Sequence, residues 1–173
     1  VPHCLVEDVK IQACFVKPRS KLGLPDEPQN HVLYEDKQGR LLKIDLAVRR
    51  DLVSSHFFVE DTDPTLQVNR QDLPSIPALL LSSLLHCDIH LRTKLIHNIA
   101  LVGGSSGFLG FKQRLLEDLE YLLDSPAFAE LKNLKSTVRI LDLNKLSSGL
   151  DLEPVQPGTI SWLGASLSSA KPS

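Results

Sequence analysis

The chain has 173 residues, 42% apolar and only 5% aromatic, so leucine, isoleucine and valine must fill its core. Lys and Arg number 19 against 21 Asp and Glu, a net charge of −2 with no basic stripe to attract a nucleic-acid backbone. This hydrophobicity excludes a wholly disordered chain, and no apolar run approaches the ~18 residues of a membrane span.

Val1-Pro2-His3 is neither an initiator methionine nor a signal peptide, which suggests that the chain was cut from something longer. Residues 4–16, CLVEDVKIQACFV, place Leu5, Val9, Ala13 and Val16 at helical spacing. A link follows at 17–30, with Pro18, Pro25 and Pro28 around Gly23, and is expected to be an exposed loop. Two extended runs at 31–35 and 40–48 are joined by Asp-Lys-Gln-Gly. In the second, Leu42, Ile44 and Leu46 alternate with Leu41, Lys43 and Asp45, the pattern of a half-buried strand, so the pair predicts a hairpin. Leu52, Val53, His56, Phe57, Phe58 and Val59 suggest a short buried segment closed by a turn at Asp61-Thr62-Asp63-Pro64.

Ser75-Ile76-Pro77 opens a helix, because serine caps and proline is tolerated in the first turn. The expected apolar stripe is Ile76, Leu79, Leu80, Leu84 and Leu85, and Asp88 caps a second helix reaching Ile96. Residues 98–102 read as a short strand running into Gly103-Gly104-Ser105-Ser106-Gly107-Phe108-Leu109-Gly110. A further helix carries Phe111, Leu115, Leu116, Leu119, Leu122 and Leu123 on one side and ends before Pro126. Residues 137–141 predict a strand and 144–158 a loop. Residues 159–163 predict a buried segment anchored by Trp162, and the tail at 168–173 is expected to fray.

Cys4, Cys14 and Cys87 lack zinc-ligand spacing and are read as free thiols. His86, Cys87 and His90 lie close together, but an N-cap at Asp88 would separate their faces, so no metal site is expected. The glycine run is the informative motif. Paired glycines between a strand and a helix let the backbone approach a ligand or a neighbouring element. The spacing Gly104-x-x-Gly107-x-x-Gly110 is not the dinucleotide fingerprint, and no P-loop lysine follows. On spacing alone, a ligand-contacting loop and a tight structural turn both remain open.

Four segments in one order resemble the actins and actin-related proteins. Cys87-Asp88-Ile89-His90-Leu91-Arg92 followed by 98–110 is similar to the actin stretch from a Cys-Asp helix start into the adenosine loop. Residues 5–16, LVEDVKIQACFV, resemble the helix patterned Ile-Val-Arg-Asp-Ile-Lys-Glu-Lys-Leu-Cys-Tyr-Val, the 34–44 hairpin fits, and Ser161-Trp162-Leu163-Gly164-Ala165-Ser166 resembles a segment near the actin C-terminus. The resemblance implies a partial α/β, actin-like (actin/Hsp70/ribonuclease-H-like) fold. Residues 1–71 would form part of the small pointed-end subdomain, 72–159 most of the large one, and 160–173 the start of the return to the remaining subdomain.

It also implies a nucleoside site made by Lys10, Gly103 and Gly104, with Gly107 and Phe108 where actins carry large side chains against the nucleotide. Two positions depart: Ile11 stands where actins have a ribose-binding glutamate, and Gly158 where they have a lysine. Each lost polar contact typically costs about 1.5–3 kcal/mol. ATP or ADP is therefore expected to be weakly held or absent here, though possible in the longer parent. The phosphate-clasping hairpins and water-positioning groups of actins lie N-terminal to the matched region, so no catalysis is expected.

Val6-Glu7-Asp8-Val9-Lys10, Cys14-Phe15-Val16 and the Trp-Leu-Gly segment are most similar to the actin-related branch at the pointed end of dynactin. That implies a cytoplasmic, cytoskeletal assembly subunit in dynein-driven transport along microtubules. Its partners would be the dynactin filament subunits and the pointed-end subunits. The alternatives are an ATP-binding actin-like protein with weak hydrolysis and a nuclear actin-related subunit of a chromatin-remodelling complex. Two further expectations follow. The leucine stripes of the 75–86 and 111–123 helices should lack part of the sheet they pack on and drive self-association. Gly104→Val should cost ~1–3 kcal/mol through strain or overpacking, while Lys10→Ala should spare the fold.

Overall fold

A computed structural model describes residues 3–22, 31–36, 38–58, 75–142 and 158–169. The first helix, α1 (His3–Ala13), ends where Arg49 donates from Nε to the Ala13 carbonyl at 2.7 Å and accepts, through its own carbonyl, the Phe15 N–H at 3.2 Å. A 3₁₀ turn at Arg19–Lys21 lies within the proline-rich link, whose residues 23–30 fall outside the described set.

The predicted hairpin is present: β1 (His31–Glu35) pairs antiparallel with β2 (Leu41–Asp45), with Val32 opposite Ile44 and Tyr34 opposite Leu42. Those four half-bury, while Leu33 and Leu41 fall on the outer face. Asp36 holds the turn by accepting the Gln38 and Arg40 N–H groups at 2.8 and 2.9 Å. The second strand ends three residues sooner than expected, because Leu46 already begins a helix, α2 (Leu46–Phe57). Within it Val53 is buried, Phe57 is partly so, and Phe58 is buried just beyond its end. The expected burial of Leu52, His56 and Val59, and the turn at 61–64, lie outside the described side chains and residues.

Ser75 caps α3 (Ile76–Leu85), its hydroxyl accepting the Ala78 N–H at 3.4 Å. Of the expected stripe, Leu84 is buried and Ile76, Leu80 and Leu85 pack against the core, whereas Leu79 is 48% exposed and the unexpected Pro77 and Leu81 are buried. With apolar residues almost all round, periodicity could not select a face, and packing on a neighbour did. Asp88 occupies the N-cap position of α4 (Ile89–Ile96) without a side-chain cap bond, and Ile96 is fully buried. Arg92 turns back to donate to the Cys87 and Leu85 carbonyls at 3.0 and 2.9 Å, satisfying the end of α3.

The centre of the core is α5 (Phe111–Leu123), which buries the predicted Phe111, Leu115, Leu119, Leu122 and Leu123, with Leu116 at its margin. It packs on α3 and on two 3₁₀ stretches within Pro126–Thr137, separated by a kink at Phe128, whose Leu131 and Leu134 are buried. Phe57 and Phe58 meet the Phe111 ring edge-on, at centroid distances of 6.0 and 4.9 Å. α3 and α5 pack on one another and cover much of their stripes, leaving Leu79 on α3 48% exposed. The strands predicted at 98–102 and 137–141 reduce to one parallel bridge, Ile99 with Ile140, carried by two backbone hydrogen bonds, from the Ile99 N–H to the Arg139 carbonyl and from the Leu141 N–H to the Ile99 carbonyl. Gly103 turns the backbone away too soon for a longer ladder.

The last helix, α6 (Ile160–Ser169), corrects a second expectation: Trp162 is 71% exposed rather than a buried anchor. In a helix it sits about 200° from the half-buried Ile160 and so faces outward. The helix includes residues 168 and 169, which were expected to fray, and the rest of the expected tail, 170–173, lies outside the described residues. Among the described residues, no helix is long and apolar enough to cross a membrane.

Candidate functional site

Three separate elements meet at the glycine loop. The first is the loop itself. Gly103 adopts φ 97, ψ 155, open in practice only to glycine, and the chain then makes a 3₁₀ turn at Gly104–Gly107. The Ser106 hydroxyl and N–H both donate to the Gly103 carbonyl, at 2.7 and 3.2 Å, and fix the turn internally. Gly103, Gly104 and Gly107 are exposed, and a Cβ at any of them would meet nothing within 4 Å. The loop thus presents bare backbone outward. Phe108 does the reverse: it is 6% exposed and belongs to the core, so it supports the loop from beneath.

The second element is the exit of α1. Phe15 bridges Leu109 in parallel, and the Val16 N–H donates to the Leu109 carbonyl at 2.8 Å. Gly110 accepts this approach only because it lacks a side chain; a Cβ there would lie 2.1 Å from the Val16 carbonyl oxygen. It also stands at φ 83, in the left-handed region, at the N-cap of α5. Lys10, half-buried on α1, lies one turn before Cys14. Burial pushes the Cys14 thiol up, against the pull of the Arg49 and Lys10 charges. Ile11 is 66% exposed.

The third element is the entry to α6. A Cβ on Gly158 would make ordinary contact with the Gly104 backbone, 3.5 Å from its Cα and 3.7 Å from its nitrogen. Residues distant in sequence, Gly104 and Gly158, are thus neighbours. The loop and the two glycine positions are brought together directly, and Lys10 is tied to them through the α1 exit.

The seam is completed by charged groups. Arg114 and Asp118, both on α5, are 1% and 0% exposed. Arg114 Nε donates to Asp118 Oδ1 at 2.8 Å, and its NH1 group donates to the Lys17 carbonyl at 3.2 Å. Arg19 donates to the same Oδ1 at 2.9 Å, while Asp118 Oδ2 is buried without a hydrogen-bond partner among the described residues. Burial pushes the Asp118 carboxyl above its ordinary value despite the opposing pull of Arg114 and Arg19. Such a cluster adds little net stability over apolar packing, but removing one member leaves an uncompensated buried charge. Sequence reasoning assigned these residues no role. The available signal was an Arg and an Asp at i, i+4 within a leucine stripe.

An adenosine group does not fit this constellation well. The exposed Ile11 supplies no acceptor for a ribose hydroxyl, Gly158 supplies no side chain, and Phe108 is withdrawn into the core. What remains is bare loop backbone and one lysine. The thiol of Cys87 and Nδ1 of His86 are each engaged with carbonyls of the last turn of α3, Ser83 at 3.3 Å and Ser82 at 2.8 Å.

A family model described as actin matches residues 3–171. The chain belongs to the actin family. Among curated proteins it is similar to actin-related protein 4 of Candida glabrata, 32% identical over 103 residues, covering 60% of this chain and 17% of that protein. It is similar also to actin-like protein 7A of Mus musculus, 32% identical over 117 residues, 66% of this chain and 24% of the relative. The Homo sapiens actin-like protein 7A is 31% identical over 140 residues, 78% of this chain and 30% of the relative. The chain thus spans less than a third of each of these three relatives. Its fold is a partial actin-like one, and the loop at 103–110 is where this family's adenosine loop was expected.

Proposed function

We propose that the chain is part of a non-catalytic actin-related subunit that caps the pointed end of the dynactin filament and supports dynein-based transport along microtubules. The branch assignment rests on a resemblance of the segments at 6–10, 14–16 and 162–164 to actin-related protein ten. In this reading 1–71 and 72–159 are the partial small and large pointed-end subdomains. The links at 17–30 and 144–158 are where the surface departs from actin and excludes further actin-like addition.

One observation supports the non-catalytic part: the α1 exit, the glycine loop and the entry to α6 meet where the resemblance implies a nucleoside site, but the polar groups expected on two of them are absent from the sequence. Ile11 is exposed and carries no acceptor, and Gly158, a neighbour of Gly104, has no side chain where the resemblance implies a lysine. Two lost contacts of about 1.5–3 kcal/mol each weaken nucleotide binding by a few powers of ten. Isothermal titration of the full-length protein with magnesium and ATP tests this. Binding no tighter than about millimolar, with no hydrolysis above buffer, is expected. Micromolar binding abolished by Lys10→Ala overturns it.

A second reading is a nuclear actin-related subunit of a chromatin-remodelling complex. The names of the matched relatives, actin-related protein 4 and actin-like protein 7A, favour a branch other than the dynactin one. The proteins that co-purify with the full-length chain separate the two.

A further inference from the structure

The segment that leaves α1 is strapped along α5. Arg19 forms its buried anchor, paired with Asp118 and stacked 3.6 Å from the centre of the Tyr121 ring. The next residue spends both of its polar groups on one carboxylate. The Ser20 N–H donates to Glu117 Oε2 at 3.0 Å, and the Ser20 hydroxyl donates to Oε1 at 3.0 Å. Gln113 donates to the same Oε1 at 2.9 Å. Burial pushes the Glu117 carboxyl up, but the hydrogen bonds from Ser20, Gln113 and the Arg19 backbone outweigh it and hold the group ionised below its ordinary value. Ser20 and Lys21 are exposed. The strap is therefore closed by an accessible hydroxyl lying on a carboxylate, with Lys17, Arg19 and Lys21 on either side.

We propose that Ser20 is a phosphoryl-acceptor site whose modification unlatches residues 17–22 from α5. The donor is a nucleoside triphosphate held by a protein kinase that favours basic flanking sequence. Ser20 Oγ attacks the γ-phosphorus and forms an Oγ–P bond. The bond from that phosphorus to the β–γ bridging oxygen breaks, the nucleoside diphosphate leaves, and the hydroxyl proton passes to a base of the kinase. Two consequences follow in the chain itself. The hydroxyl loses the proton it donated to Glu117. The new ester brings a charge of about −1.5 to −2 to within hydrogen-bonding distance of that carboxylate. Closure then sets like charges together, so a strap modified while open stays open. Because Val16 and Lys17 are hydrogen-bonded to Leu109 and Arg114, the loosening reaches the glycine loop.

The test uses the intact protein, a basic-directed kinase and ATP, followed by peptide mass spectrometry and amide hydrogen exchange. Phosphate on Ser20 is expected, with exchange across 15–22 accelerated about tenfold or more while the 131–134 core is unchanged. Ser20→Asp is expected to accelerate the same amides, Ser20→Ala to change them far less, and Glu117→Gln to restore slow exchange in Ser20→Asp. Absence of phosphate from Ser20, or a phosphorylated strap exchanging as slowly as the unmodified one, overturns the proposal. So does failure of Glu117→Gln to slow Ser20→Asp, because repulsion by that carboxylate would then not be the cause.

Discussion

Substituting Gly110 by alanine attacks the most tightly hemmed of the described glycines. The added Cβ would stand 2.1 Å from the Val16 carbonyl oxygen and 3.2 Å from its carbon. An ordinary contact needs more than an ångström of extra room, and the obstacle is main chain, which cannot rotate aside. Moving Val16 breaks its 2.8 Å hydrogen bond to Leu109, which contributes about 1 kcal/mol. The left-handed φ of 83 costs an alanine a further 1–2 kcal/mol or so, and residual overpacking typically about 1–3 kcal/mol. Together these place Gly110→Ala at about 3–6 kcal/mol, a large part of the 5–15 or so available to a domain. Urea unfolding followed by circular dichroism measures it, with Gly104→Ala as the control. A Cβ at Gly104 meets nothing within 4 Å, so that variant is expected to stay within about 0.5 kcal/mol of the parent. A loss below about 1 kcal/mol at Gly110, or equal losses at both glycines, refutes the reasoning.

Two other perturbations follow from the same structure. Leu119→Ala empties a fully buried site and should cost about 2–5 kcal/mol in the same assay, whereas Leu79→Ala, at a half-exposed position, should cost far less; similar losses would mean that α3 packs by another face. Carboxyl titration by carbon NMR should split two aspartates about their ordinary value of 3.8. Asp36 lies below it, because the Arg40 N–H, the Arg40 side chain and the Gln38 N–H together outweigh its desolvation. Its contribution to stability is full above 3.8 and fades as pH falls through the lower folded value. Asp118 lies above, because burial outweighs the pull of its arginines, so its contribution is best below 3.8 and diminishes as pH rises through the folded value. Both groups titrating together at 3.8 would contradict the assignment.

Local chemistry made much of the fold legible. The Ser75 cap, the α5 stripe, the hairpin and the first ten or so residues of α1 each follow from residues that interact within a few positions of one another, whereas the helix expected to reach Val16 stops at Ala13 because Phe15 bridges Leu109. Choices made by distant partners were not legible. The buried face of α3 was decided by α5, because leucines surround that helix. Trp162 was assigned to the core for its size, yet helical geometry turns it outward. At the site, the glycine run was found but its tight member was misjudged. Gly104 is open, whereas Gly110 is pinned by Val16, more than ninety residues earlier in the chain. Phe108 and the Arg114–Asp118 pair were hidden for the same reason: burial of a single position depends on what crosses it.

The central claim is that these residues belong to a dynactin pointed-end subunit. Its most direct test is affinity purification of the full-length protein from its native cells, with every co-purifying subunit quantified by mass spectrometry. The account predicts dynactin filament and pointed-end subunits in stoichiometric amounts, retained when Lys10 is replaced by alanine. Stoichiometric recovery of a chromatin-remodelling complex with no dynactin subunit would contradict it.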